Sequence, residues 1–424
     1  GGNNQGGVTT TSNIVVDGAS IDTIYGGGKL ATTANTYIDL NAATVVNVYG
    51  GGEAADITNN TNINLMGSTV SNIYGGSNIS GNVPISNIHT TSGSATTIYG
   101  GNNQGGVTTT SNIVVDGANI GTIYGGGDRA NTTTSNVSIN KTQNEIANVF
   151  GGGNAASVVD SNVIVKAGMI GNIYGGSNMS GDVTNSNIDI LKENITNDSS
   201  VSANVTWVAA DTESWQSTTY PTIAQVTVTL SNNTESSLDV WDLVMNIPNS
   251  SIYSNYSNSD IVSQNGIYLV NQVNRYYGVN QIASGGSYSF NFEVLSMSSK
   301  EDFDISYVFT SGDYRYEKAQ SITITNVYGG NNQGGKTTNV DINATAGTIT
   351  NVYGGGNEAI TGLSKVYLED VVIKNEVYGG GNQAALEGST NVDIINSSIK
   401  GNVFGGGNAA SVAGNTDLYV SDSS

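Results

Sequence analysis

Residues 100–124 read GGNNQGGVTTTSNIVVDGANIGTIY, and residues 125–127 continue as three further glycines. The GGNNQGG opening occurs at Gly1, Gly100 and Gly329, and GGVTTTSNIVVDGA runs from both Gly6 and Gly105. The close of the passage, a branched aliphatic followed by an aromatic and glycine, is more frequent still. It recurs at Ile24-Tyr25-Gly26, Val48-Tyr49-Gly50, Ile73-Tyr74-Gly75, Ile98-Tyr99-Gly100, Val149-Phe150-Gly151 and Ile173-Tyr174-Gly175. Beyond a gap it returns at Val327-Tyr328-Gly329, Val352-Tyr353-Gly354, Val377-Tyr378-Gly379 and Val403-Phe404-Gly405. The aromatics are spaced by 24, 25, 25, 25, 26 and 24 residues, then by 154, then by 25, 25 and 26. A fixed period of this length belongs to a solenoid, in which each repeat buries its apolar edge only against its neighbours.

Between markers the apolar residues alternate with polar ones, as in Tyr37-Ile38-Asp39-Leu40, Asn62-Ile63-Asn64-Leu65 and Asn391-Val392-Asp393-Ile394. That is the two-residue period of a strand, and no helical period competes with it. A second short strand ends each coil, and the glycine run is expected to turn the corner, through positive φ and close backbone approach. About 25 residues at ~3.3 Å each give a contour of roughly 80 Å, enough for two or three short strands around a narrow interior. The expected fold is therefore all-β, a parallel β-helix of about 12 coils of ~25 residues with like residues stacked on like. The position two before the aromatic is Asn at Asn47, Asn72, Asn148, Asn172, Asn326, Asn351 and Asn402, and Thr at Thr23, Thr97 and Thr122. Stacked amides hydrogen-bond along the axis, so this column is expected to be a structural ladder. Corner types repeat in order every four coils, giving a unit of about 100 residues present about three times.

The spacing of 154 exceeds one coil of 25 by 129 residues. The composition changes in that stretch, which holds Trp207, Trp215, Trp241, Pro221 and Pro248. Runs such as Ala224-Gln225-Val226-Thr227-Val228-Thr229-Leu230 and Tyr288-Ser289-Phe290-Asn291-Phe292-Glu293-Val294 predict an inserted antiparallel β-sandwich. The expected division is 1–193 solenoid, 194–321 sandwich and 322–424 solenoid.

Within the insert, SWQSTTYPTIAQVTVTLSNNTESSLDVWDLVMNIPNS and RYYGVNQIASGGSYSFNFEV resemble the family-two, cellulose-binding type of carbohydrate-binding module. The likeness lies in a Trp before a V-T-V-T-x-x-N-x-T strand, a W-x-L/V-x-x-x-x-P turn, and an aromatic ahead of G-G-S-x-x-F-x-F. It implies a sandwich whose flat strip of exposed aromatics stacks on sugar rings, here Trp215, Tyr256 and Tyr277 with Tyr276 as the alternative to the last. It also implies that Trp241 is a core residue. The repeats themselves resemble those of bacterial or archaeal cell-surface β-helix proteins.

The formal net charge is −21 with only 11% charged residues. Nucleic acid and anionic lipid both require clustered Lys and Arg, so neither is an expected partner, nor is membrane insertion. With zero cysteine, disulfides and thiolate metal sites are excluded. No cofactor or metal is expected, since the GGGN corners lack the Asp of calcium-binding β-helix repeats. Enzymatic activity is not expected either. Polysaccharide-cleaving β-helices exist, and adjacent coils would set Asp341 beside Asp39-type positions, but such acids recur as a solvated face. His89 is the only histidine and belongs to no motif.

What remains is an extracellular or cell-surface structural element. It is expected either to stack end to end with copies of itself as a filament protomer or to form the stalk of an adhesin, with polysaccharide as a further partner. Counting coils, Ser424 and Gly1 join with only about five residues of a coil missing, which favours stacking.

Overall fold

The structure is a computed structural model that describes residues 1–192, 197–209, 219–255, 260–264, 266–271, 273–274, 278–279, 281–300 and 303–424. It divides into two compact units, Gly1–Lys192 with Ile322–Ser424, and Glu193–Ser321.

The first unit is a parallel β-solenoid. Each rung contributes one strand to each of two sheets, so that Thr9–Asp17, Thr33–Asn41 and Ile57–Met66 neighbour one another in the first sheet, and Ser20–Tyr25, Thr44–Tyr49 and Ser68–Tyr74 in the second. The first sheet counts 12 strands, ending at Thr416–Ser421. In the second, Ser398–Ile399 and Val403–Phe404 pair with the same strand, Val372–Tyr378, as two halves of one rung. The chain leaves the solenoid after Val183–Ile190 and re-enters at Ile322–Tyr328, which pairs directly with Gly168–Tyr174. The rung is thus completed as though no insertion were present.

Register explains why the alternating pattern is so regular. Ile38, Ile63, Ile88, Ile113, Val137 and Val163 pair in sequence along one column, and all are 0–1% exposed. The marker aliphatics Val48, Ile73, Ile98, Ile123, Val149, Ile173, Val327, Val352 and Val377 are each fully buried in the same core. Shifting one strand by a residue would turn its whole apolar set to water, so the pattern fixes the register. In-register stacking also explains the sparse charge. A charged residue in any outward column would face its own kind at the next rung, about 4.8 Å away. A few charges meet the opposite sign on the neighbouring rung, as in Lys29 with Glu53 at 3.6 Å and Lys365 with Asp341 at 3.9 Å, and other carboxylates accept there from an asparagine amide, as Asp39 does from Asn64 at 2.7 Å.

The corner glycines require a correction to the sequence reading. Gly26, Gly50, Gly75, Gly100 and Gly125, which follow the aromatics, do not have positive φ. They are glycine because a Cβ there would lie 2.2–2.5 Å from the carbonyl oxygen of the glycine one rung on. Positive φ occurs elsewhere: in the turn between the two strands of a rung, at Gly18, Gly67, Gly93, Gly117 and Gly168, and at the end of the corner, at Gly81, Gly106, Gly181 and Gly335.

The second unit is an antiparallel sandwich. One sheet orders Val201–Ala209, Thr222–Asn232, Ser287–Ser296 and Ser250–Asn255. The other orders Asp260–Gln264, Ile267–Asn271, Asp242–Asn246, Ser306–Ser311 and Tyr314–Lys318. Between them lies a core that includes Val226, Val228, Leu243, Met245, Phe292 and Phe309.

Candidate functional site

The chemistry of the solenoid resides in its columns. Along the aromatic column, from Tyr25 to Phe404, successive ring centroids lie 4.7–5.3 Å apart with interplanar angles of 3–10°. The rings from Tyr99 to Tyr378 form a cluster of their own, distinct from the aliphatic core. Burial, reinforced by the neighbouring tyrosines of the column, pushes the Tyr74 and Tyr328 phenols up to about 12 from 10.0. Because the folded value lies above the unfolded one, this contribution to stability is intact below pH 10 and is lost as pH rises through about 12. In a spectrophotometric titration, tyrosinate absorbance is therefore expected to lag behind that of free tyrosine and then to rise together with loss of the β-sheet dichroism signal. Reversible ionisation near the free value with dichroism unchanged would contradict a buried column.

The asparagines two before the aromatic make amide-to-amide bonds in two segments. Asn72 Nδ2 donates to Asn47 Oδ1 at 3.0 Å. After the threonines at Thr97 and Thr122, Asn172 donates to Asn148, Asn326 to Asn172 and Asn351 to Asn326, at 2.8–3.0 Å. A register irregularity then passes the bond to Asn375, which donates to Asn351 at 2.8 Å, so that Asn402 reaches the Glu376 carboxylate at 3.5 Å instead of an amide.

Three further ladders were not read from the sequence. On the outer face of the first sheet Asn87, Asn112, Asn136, Asn162 and Asn187 each donate to the asparagine before, starting at Asn62, at 2.9–3.1 Å. At the corners Asn154, Asn178, Asn332, Asn357, Asn382 and Asn408 bond in the same way from Asp128 onward. Inside, hydroxyls tie several first strands to a marker glycine, with Thr61 donating to Gly75 O at 2.6 Å and Ser161 to Gly175 O at 2.5 Å. The recurring Ser-Asn dipeptide at 86–87, 111–112, 135–136, 161–162 and 186–187 was the available signal. The serine turns in, where Ser111, Ser135, Ser161 and Ser186 bond the corner, and the asparagine turns out to bond its copy.

The corner that opens rung 100–124 is held to the rung before it by a buried side chain. Asn102 Oδ1 accepts from Ser77 N at 2.8 Å, while Nδ2 donates to Gly81 O at 2.7 Å and Gly105 O at 2.9 Å. Asn331 repeats this with Ser177 N, Gly181 O and Gly334 O, each at 2.8 Å. Outside it, Asn103 donates to Asn78 at 2.8 Å and Asn112 to Asn87 at 2.9 Å. Residues 1–19 are identical to residues 100–118. Asn3, Asn4 and Asn13 therefore offer the groups that Asn102, Asn103 and Asn112 use, and all three are exposed.

Among the sandwich residues, Trp241 is 1% exposed and lies 6.3 Å edge-on from Phe309. Trp215, Tyr256, Tyr276 and Tyr277 lie outside the described residues. Tyr253, which was not singled out in the sequence, is 44% exposed. His89 pairs with Asp116 across one rung at 2.6 Å on the exposed face. Among the described residues no group of three or more His, Asp or Glu is placed to hold a metal, and no helix is long and apolar enough to cross a membrane.

No protein-family model and no curated protein matches the chain. Among solved structures, two of the GH20 exo-β-N-acetylglucosaminidase from Vibrio harveyi, an inactive variant and a complex with N-acetylglucosamine, align with 13% identity and a TM-score of 0.20. The alignment covers 30% of this chain and 18% of the enzyme, and a likeness of that size carries no argument about what this solenoid does.

Proposed function

We propose that the chain is a structural, extracellular solenoid whose copies stack head to tail as a filament, carrying a sandwich that binds polysaccharide through Trp215, Tyr256 and Tyr277 or Tyr276. The observation that carries the stacking is the 19-residue identity of 1–19 with 100–118, because the second of these stretches already packs on another rung. The junction between rungs 75–99 and 100–124 is thus an internal template for a junction between copies. On the rung that begins at Gly405, Asn408 stands in for Asn78 and Asp417 for Asn87, so Asn4 and Asn13 would each find an acceptor. Asn3 needs only backbone groups, which Gly407 and Ser411 supply. Val412 takes the place of Asn82, so the bond from Val107 N to Asn82 Oδ1 is not reproduced.

Such a contact is heterologous and does not close, and therefore grows into fibres. Electron microscopy and sedimentation of concentrated protein test it. Fibres are expected, with an axial repeat of roughly 58 Å from twelve rungs at about 4.8 Å. Asn13→Asp, which sets a carboxylate against Asp417, is expected to abolish them without unfolding the chain. A monodisperse monomer at high concentration would remove the filament and leave the stalk of an adhesin.

A further inference from the structure

The amide ladder on the outer face of the first sheet stops at one place, and the stop opens a cavity. The column runs through Asn162 and Asn187 and then meets Asp341, which pairs with Asn187 in the register of the sheet. A carboxylate accepts but does not donate, so the ladder has no next rung, and among the described residues nothing donates to Asn187 Oδ1. Beyond it stands Lys365, whose Nζ is 3.9 Å from Asp341 Oδ2. The neighbouring outward column reads Asp189, Asn343, Tyr367 over the same three rungs. These six side chains line a depression of about 400 Å³. It continues along the axis into a second of about 550 Å³ that reaches Leu363, Asn391 and Asp417.

We propose that this groove binds a linear, neutral oligosaccharide lying along the solenoid axis, at a site centred on Asp341 and Lys365, separate from the sandwich aromatics and meeting the proposed stacking face only at its far end, Asp417. Sugar hydroxyls both donate and accept, and the groove supplies both partners in fixed positions. Asn187 Oδ1 and the Asp341 carboxylate take O–H donors, while the Lys365 ammonium offers N–H to ring and hydroxyl oxygens. Apolar surface is available for the C–H faces of the rings. Leu363 is 51% exposed, and the Tyr367 ring is held in place by its hydroxyl, which donates to Glu369 at 2.9 Å. A divalent cation is a poorer fit. Asp189 already accepts from Asn343 at 3.1 Å, and Lys365 stands beside the other carboxylate. Acidic sugars would meet two carboxylates against one ammonium. Binding without cleavage is expected, since the Asp341 side chain is 48% exposed and lacks the desolvating wall of a glycosidase acid.

The test is calorimetric titration of the full chain in a Trp215→Ala background, which silences the proposed sandwich site, with cellohexaose and chitohexaose as probes and hexagalacturonate and calcium chloride as comparisons. One of the neutral hexasaccharides is expected to bind and to be recovered intact. Asp341→Asn restores a donor to Asn187 and extends the ladder, so it is expected to weaken binding about tenfold or more while the melting temperature holds or rises. Lys365→Ala is expected to weaken binding as well. The site would be overturned by the absence of heat with both neutral sugars, by affinities unchanged in both variants, by tighter binding of hexagalacturonate or calcium, or by cleavage of the sugar.

Discussion

Val352→Asp is expected to destabilise the solenoid by at least about 3 kcal/mol, because it buries a carboxylate with no partner. Val352 is fully buried between Val327 and Val377 in the aliphatic core. A solenoid is close to one-dimensional, so the damage should be concentrated in the rungs around it. Hydrogen exchange is expected to show lost protection across 329–378, with residues 26–99 nearly unchanged, and chemical denaturation should show a lower midpoint. A variant as stable as its parent would mean that the side chain has an escape to solvent which the register denies it.

The second large effect separates two kinds of glycine. In Gly100→Ala the new Cβ would stand 2.2 Å from Gly125 O and 2.9 Å from Ser111 Cβ, and both belong to a packed stack that cannot give way. A loss of about 2–4 kcal/mol is expected from this overpacking. Gly18 is the opposite case, with φ +62° and nothing within 4 Å of an added Cβ. Asn tolerates that backbone region, so Gly18→Asn is expected to cost no more than about 1 kcal/mol. Equilibrium denaturation of the two variants side by side measures the contrast. A Gly18 variant more damaged than the Gly100 variant would show that conformation, and not close approach, selects glycine after the aromatic.

The parallel solenoid with its antiparallel insert was legible because two periods coincide: alternation within a strand, and a repeat near 25 that returns the same side chain to the same column. The reason for glycine at Gly26 or Gly50 was only half legible. Sequence shows that glycine is required but does not say whether φ or a neighbouring carbonyl requires it. The column through Asn47 and Asn72 stood out because it sits at a fixed distance from a conspicuous aromatic. The columns through Asn87 and Asn154 did not, since they lie among many other polar residues and no marker fixes their phase. The bulge that hands the bond from Asn351 to Asn375, past Glu376, is a backbone event with no sequence signal of its own. The groove at Asp341 was invisible for a related reason: a single Asp in an Asn column gains meaning only once the column is known to be a bonded chain. The aromatics proposed on the sandwich rest on the family resemblance alone.

The amide ladders have a sense as well as a length. In every asparagine-to-asparagine bond described above, the later residue gives the proton and the earlier one receives it, whether at Asn72, Asn112, Asn178 or Asn351. Bonds aligned in this way polarise one another and sum into a dipole along the axis. Any cut across the stack thus leaves two unlike surfaces, an NH₂ face toward the N-terminus and a C=O face toward the C-terminus. Two faces of the same kind repel when apposed, so inverted pairing is forbidden by the side chains before shape is considered. An assembly built from such rods would be vectorial, with chemically different growing tips that a ligand could block one at a time.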